Sequence, residues 1–182
     1  MDDESTSQPH GHATIPPDDL RRKLTIAQPD AKTGLVHISV AGDTYTILVS
    51  GEDTAGHSCL IDMYVPPGGG PPPHRHNFEE VFTILEGEIE LVFRGRKSVG
   101  RTGDTIHIPS NAPHSFKNLA SKSARLLCFC APAGLDEFFE LVGDPVGSRT
   151  APPPKLNDQE KMERMKKAVA LAPQFVTELL LP

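Results

Sequence analysis

From Leu35 onward, apolar and polar residues alternate in short runs instead of recurring at helical intervals. LVHISV, DTYTILVS and SCLIDMYV, each bounded by Gly, Asp or Pro, predict three strands. EVFTILEG and EIELVFRG follow and read as a two-strand hairpin joined at Glu86-Gly87. In its second arm Ile89, Leu91 and Phe93 share one face against Glu88, Glu90 and Arg94, and Gly95 opens the next turn. Residues 97–102, 104–108, 114–119 and 125–130 continue the pattern. Short strands at this spacing predict an all-β sandwich or barrel, not a parallel α/β sheet.

Beyond Ala131 the period becomes helical. GLDEFFELVG sets Leu135, Phe138, Phe139 and Val142 on one side and ends at Gly143, with a proline two residues on. APPPK is a stiff extended connector. Asn157 and Glu160 form a capping-box pattern, and Met162, Met165, Val169 and Ala172 give the helix that follows an apolar stripe, stopped by Pro173 and packed on the outside of the β-structure. Residues 1–33, punctuated by Pro9, Pro16, Pro17 and Pro29, read as an irregular arm with a short helix around residues 18–24. The organisation expected is thus an N-terminal arm (1–34), a β-domain (35–131) and a C-terminal helical extension packed on it (132–182).

A length of 182 residues allows one domain with a substantial core. The net charge of -6, without Lys/Arg clusters, excludes nucleic acid as a partner, and no helix-turn-helix pattern is present. No apolar run is long enough to span a bilayer, so no membrane association is expected. The start MDDESTSQPH is acidic and polar, unlike a secretory signal, so a cytoplasmic location is expected. Cys59, Cys128 and Cys130 form no disulfide framework and read as buried small apolar residues.

The candidate chemistry lies in GGGPPPHRHNFEEVFTILEG, residues 68–87. In an extended chain, side chains two apart share a face, so His74, His76 and Glu80 can point at one spot, with Phe82 and Ile84 continuing inward. Two imidazoles and a carboxylate converging there are what a divalent first-row metal binds. In GDTIHIPSNAPHSFKN, His114 stands at the start of a strand after Pro109 and Pro113, where a third imidazole completes an N3O set. Such a set suits Mn, Fe, Ni, Co, Cu or Zn without choosing among them, and leaves coordination positions open. A second HxH pair, His10-Gly11-His12, lacks the later carboxylate and reads as solvated tail.

These residues resemble the cupins. The first cupin motif, G(X)5HXH(X)3,4E(X)6G, is met by Gly68, His74, His76, Glu80 and Gly87. The second, G(X)5PXG(X)2H(X)3N, is met by Gly103, Pro109, His114 and Asn118, with Asn111 in place of the usual glycine, a residue that tolerates left-handed backbone. The resemblance implies a double-stranded β-helix (jelly-roll) barrel over residues 35–131 with a metal held by His74, His76, Glu80 and His114. It extends more weakly, through FCAPAGLDEFF and the proline-rich tail, to small single-domain cupins labelled quercetin-dioxygenase-like.

The function this implies is a metal-dependent oxygenase acting on a small organic molecule, with Glu80 as ligand and, by likeness to flavonol dioxygenases, also as base. Tyr64, Phe82, Ile84 and Phe116 are expected to line an apolar cavity suited to an aromatic or uncharged substrate, and His107 either lines it or is a structural histidine. The alternatives are a non-catalytic binding cupin and a cupin isomerase or decarboxylase. Arg75 points away from its two histidine neighbours and is poorly placed to anchor a phosphate, which disfavours a sugar-phosphate isomerase. Cupins often pair through outer sheets and exchange N-terminal strands, so the resemblance also implies a homodimer, with the arm before Leu35 as the exchanged segment.

Overall fold

The computed structural model describes residues 15–30 and 34–181; the His10/His12 pair and much of the arm invoked for strand exchange lie outside them. The order of elements is β1 (His37–Val40), β2 (Asp43–Val49), β3 (Cys59–Val65), β4 (His74–His76), β5 (Glu79–Glu86), β6 (Glu88–Phe93), β7 (Arg96–Arg101), β8 (Thr105–Ile108), β9 (His114–Lys117) and β10 (Ala124–Ala131). Then come α1 (Leu135–Val142), β11 (Asp144–Pro145), α2 (Asp158–Leu171), a 3-10 turn (Ala172–Phe175) and β12 (Thr177–Leu179). The strands form two antiparallel sheets, one ordered β11-β1-β2-β3-β10-β5-β8 and the other β12-β4-β9-β6-β7. This is the two-sheet jelly roll expected for the chain.

The inward faces follow from alternation. On β5, Glu80, Phe82 and Ile84 are buried while Glu79 and Glu86 are exposed; on β10, Ala124, Leu126, Cys128 and Cys130 are buried and Phe129 faces out. Together with Ile61, Val65, Ile89, Leu91 and Ile108 they fill the space between the sheets.

The Glu86-Gly87 hairpin is not formed. β5 pairs with β10 and β8 in the larger sheet, whereas β6 pairs with β7 and β9 in the smaller one. Gly87, at φ +79°, is the corner where the chain changes sheets, and a Cβ there would sit 3.1 Å from the Ala124 Cα. The true hairpin is β6–β7, turning at Arg94-Gly95, both with positive φ.

Where a short helix is expected around residues 18–24, the arm shows a turn at residues 20–21 instead. The Asp19 side chain accepts from the Arg21 N–H and its carbonyl accepts from the Arg22 N–H, closing a turn that nothing propagates. At the other end the capping box is present, with Asn157 and Glu160 satisfying each other's N–H groups. The stripe on α2 is split, however: Met165 and Ala168 face the barrel, while Met162 is 57% exposed. The C-terminal extension is also not wholly helical, since β11 extends the larger sheet and β12 the smaller one.

On the outer face of the larger sheet, fully buried Asp62 accepts two hydrogen bonds from Arg125, at 2.8 and 2.6 Å. Arg125→Ala strands that carboxylate, and a loss of about 3 kcal/mol or more is expected in urea unfolding, far beyond what removing an exposed arginine does.

Candidate metal centre

His74 and His76 lie on β4 in the smaller sheet, Glu80 on β5 in the larger one and His114 on β9 beside β4. The first three therefore do not share one strand face: Asn77 and Phe78 bend the chain between sheets, and convergence comes from the barrel's closure. His74 is the register partner of His114, which brings the two imidazole centres to 4.2 Å. One ligand atom from each of the four residues lies within 4.8 Å of the others. On its far side β4 pairs with β12, Thr177 opposite His76 and Leu179 opposite His74. The loop before β9 closes the frame: Asn111, at φ +65°, donates its N–H to the His76 carbonyl at 2.6 Å and its side-chain amide to Asn77. Asn118 is fully buried and bonds Val65 and Lys122 carbonyls, so it ties strands together rather than facing the centre.

Each ring nitrogen Nδ1 faces a backbone carbonyl: His74 that of Pro72 at 2.9 Å, His76 that of Phe78 at 3.0 Å, His114 that of Ala112 at 3.0 Å. A carbonyl can only accept, so each Nδ1 carries the hydrogen and each Nε2 points inward. His76 is further fixed by a parallel stack on Phe78, centroids 3.8 Å apart. His76 Nε2 and His114 Nε2 both lie 3.1 Å from Glu80 Oε2. With neutral rings that places two nitrogen lone pairs against one carboxylate oxygen, an arrangement relieved by protons or by a single cation. Three Nε2 atoms and a carboxylate oxygen, oriented by their outer hydrogen bonds, fit a first-row divalent metal.

The electrostatics agree. Burial, with His114 nearby, pushes His74 down to about 4, which leaves it neutral, as a metal ligand must be, at physiological pH. Burial alone would raise the Glu80 carboxyl, but positive charge on the His114 and His76 side of Oε2, from protons on the two Nε2 atoms or from a cation in their place, outweighs it and holds it below the usual carboxylate range. Glu80 is thereby ionised, the form in which a carboxylate can ligate a cation or accept a proton. Behind it, the Cys128 thiol sits 3.3 Å from Glu80 Oε1 and 3.6 Å from Cys130 Sγ. Burial pushes Cys128 up to about 12, so it donates to the carboxylate as a thiol; all three cysteines are free and buried.

His74, His76 and Glu80 open onto a cavity of about 490 Å³. Phe82 and Phe116 line it, packed edge to face with centroids 5.4 Å apart. The other three expected lining residues do not. Ile84 is the next inward position on β5 but packs against Gly100 in the core. Tyr64 faces outward on β3, its hydroxyl accepting from Ser123, because Ile61, Met63 and Val65 hold the inward parity. His107 is on the outer face of β8, 2.6 Å from Glu79, where the side chain is 57% exposed. In their place Tyr45 and Met63 form the wall, with Phe139 stacked on Tyr45 at 4.3 Å. Tyr45 is legible from its parity with Ile47 and its alternation with Thr44 and Thr46 in DTYTILV. The roof comes from the extension: Phe138 and Phe139 of α1, Pro153, Pro154 and Leu156, and Met165 and Ala168 of α2. Arg75 points outward to Glu178.

The family described as Cupin domain matches residues 61–130, the span that carries all four residues of the centre. The chain is a cupin. An uncharacterized protein of Methanocaldococcus jannaschii is 32% identical over 84 residues, covering 46% of this cupin and 67% of the relative. Quercetin 2,3-dioxygenase of Bacillus subtilis is 28% identical over 102 residues, which is 56% of this chain but only 30% of that enzyme's length. Among solved structures, the polyketide cyclase RemF of Streptomyces resistomycificus superposes with a TM-score of 0.51 at 22% identity, covering 78% of this cupin and 94% of the cyclase. Among the described residues, no helix is long and apolar enough to cross a membrane.

Proposed function

We propose that this cupin is a metal-dependent dioxygenase that acts on a small, largely apolar aromatic molecule. The observation behind this is the junction of a three-histidine, one-carboxylate centre with a cavity walled by Phe82, Phe116, Tyr45 and Met63. The match to quercetin 2,3-dioxygenase, though it spans less than a third of that enzyme, supports the same reaction class. His74, His76, Glu80 and His114 would hold the metal, which would supply Lewis acidity toward a substrate hydroxyl. The aromatic walls orient the substrate ring, and the roof of α1 and α2 excludes water from the reacting atoms. Arg75 is turned outward to Glu178 and is not placed to hold a phosphate at the centre.

The test is metal analysis of the purified protein followed by O2 uptake with flavonols, catechols and β-diketones. Uptake with at least one class is expected, abolished by chelation and restored by one metal. Bound metal with no uptake across the panel would replace the oxygenase reading with that of a binding cupin.

A further inference from the structure

Asp43 is a buried carboxylate on the cavity wall that the metal centre does not use. It is 1% exposed, and its hydrogen bonds come from neutral donors: the Tyr45 hydroxyl at 3.1 Å and the Gly70 N–H at 3.0 Å. The backbone is shaped around it. A Cβ on Gly69 would overlap Asp43 Oδ1, and one on Gly70, at φ +121°, would overlap the Phe116 carbonyl, so only glycines let this turn bring an N–H against the carboxylate. A carboxylate has about four acceptor positions, so these two donors leave part of its acceptor capacity unused on a side chain that lines the cavity. Burial raises its carboxyl to about 7, so it exchanges a proton near neutral pH.

We propose that Asp43, together with Tyr45, is a second polar anchor of the cavity that binds a hydroxyl group of an aromatic ligand whose other oxygen function reaches the metal centre. This rests on the reading of the cavity as the substrate site and narrows the substrate to a hydroxylated aromatic. The ligand hydroxyl donates to ionised Asp43, while Tyr45, whose own proton goes to Asp43, fixes the carboxylate's orientation. The other ionisable groups on the cavity are the metal ligands and, at the mouth, Asp144, Lys161 and Arg164. Arg164 is engaged by Asp144 and Lys161 by Asp158.

The experiment compares 2-naphthol with naphthalene by calorimetry on the full chain, as purified and after chelation. 2-Naphthol is expected to bind about tenfold more tightly in both forms, since the hydrogen bond is to a charged acceptor. Asp43→Asn, which keeps an oxygen for the Gly70 N–H, and Tyr45→Phe should each cut that preference to about threefold or less with the thermal melt retained. In the wild type the preference should fade as pH falls from about 8 to about 6, because the raised carboxyl is ionised above its pKa and protonated below it. In Asp43→Asn it should be flat. Equal binding of the two probes, no binding of either, or a preference that survives Asp43→Asn overturns the proposal. A preference lost only on chelation also overturns it, since the metal would then be the anchor. Absent O2 uptake with the preference intact would sink the oxygenase reading alone.

Discussion

Glu80→Ala and His114→Ala are each expected to leave the purified protein with less than about a tenth of the wild-type metal, and with no O2 uptake. Both residues are buried at the centre of the ligand set, and both meet at Glu80 Oε2. Removing Glu80 takes away the only carboxylate and leaves three neutral imidazoles, which hold a divalent cation without charge compensation. Removing His114 also empties the space beside His74, whose ring lies 4.2 Å away. The check is metal content per chain by elemental analysis, with circular dichroism to confirm that the fold survives. Wild-type metal content in both variants would place the metal elsewhere and dismiss the centre described above.

Ending the chain after Val176 should weaken the same centre without touching a ligand. β12 supplies backbone pairs along all of β4, and the Leu180 N–H bonds the Pro73 carbonyl at 2.8 Å just ahead of it. Without β12, β4 is an edge strand joined to β9 through the His74–His114 pair alone. The Arg75–Glu178 ion pair, half exposed on both sides, adds little, so Glu178→Ala should be near neutral. The truncation is expected to lower metal affinity roughly tenfold, as loss of supporting contacts typically does, and the melting temperature by several degrees. A chelator competition titration and a thermal melt read the two effects. Unchanged affinity with a lowered melting temperature would make β12 a structural cover only.

The ligand set was legible in the sequence because its spacing is local: HRH and Glu80 lie within one short segment, and His114 follows a turn whose Asn111 takes the left-handed angle its side chain tolerates. Topology was less so. A glycine after a strand serves a hairpin and a corner equally well, and what makes Gly87 a corner is that both edges of β5 are already taken by β10 and β8. The outward turn of Tyr64 is not legible because both faces of β3 are covered, with Ile61, Asp62 and Met63 all buried, so alternation does not announce which face is inside. β12 is not legible in the sequence because three residues, TEL, carry no period, and their strand character comes from the edge that receives them.

The pairing of β12 with β4 has a kinetic consequence. Thr177 and His76 stand about a hundred residues apart, so the frame of the centre closes only after a long loop has been drawn in, a slow and late kind of contact. His74, His76 and Glu80, by contrast, are neighbours from the start and can hold an ion loosely in the unfolded chain. Refolding with metal present should therefore show early weak capture and late tightening, with the tightening limited by the arrival of the C-terminal strand.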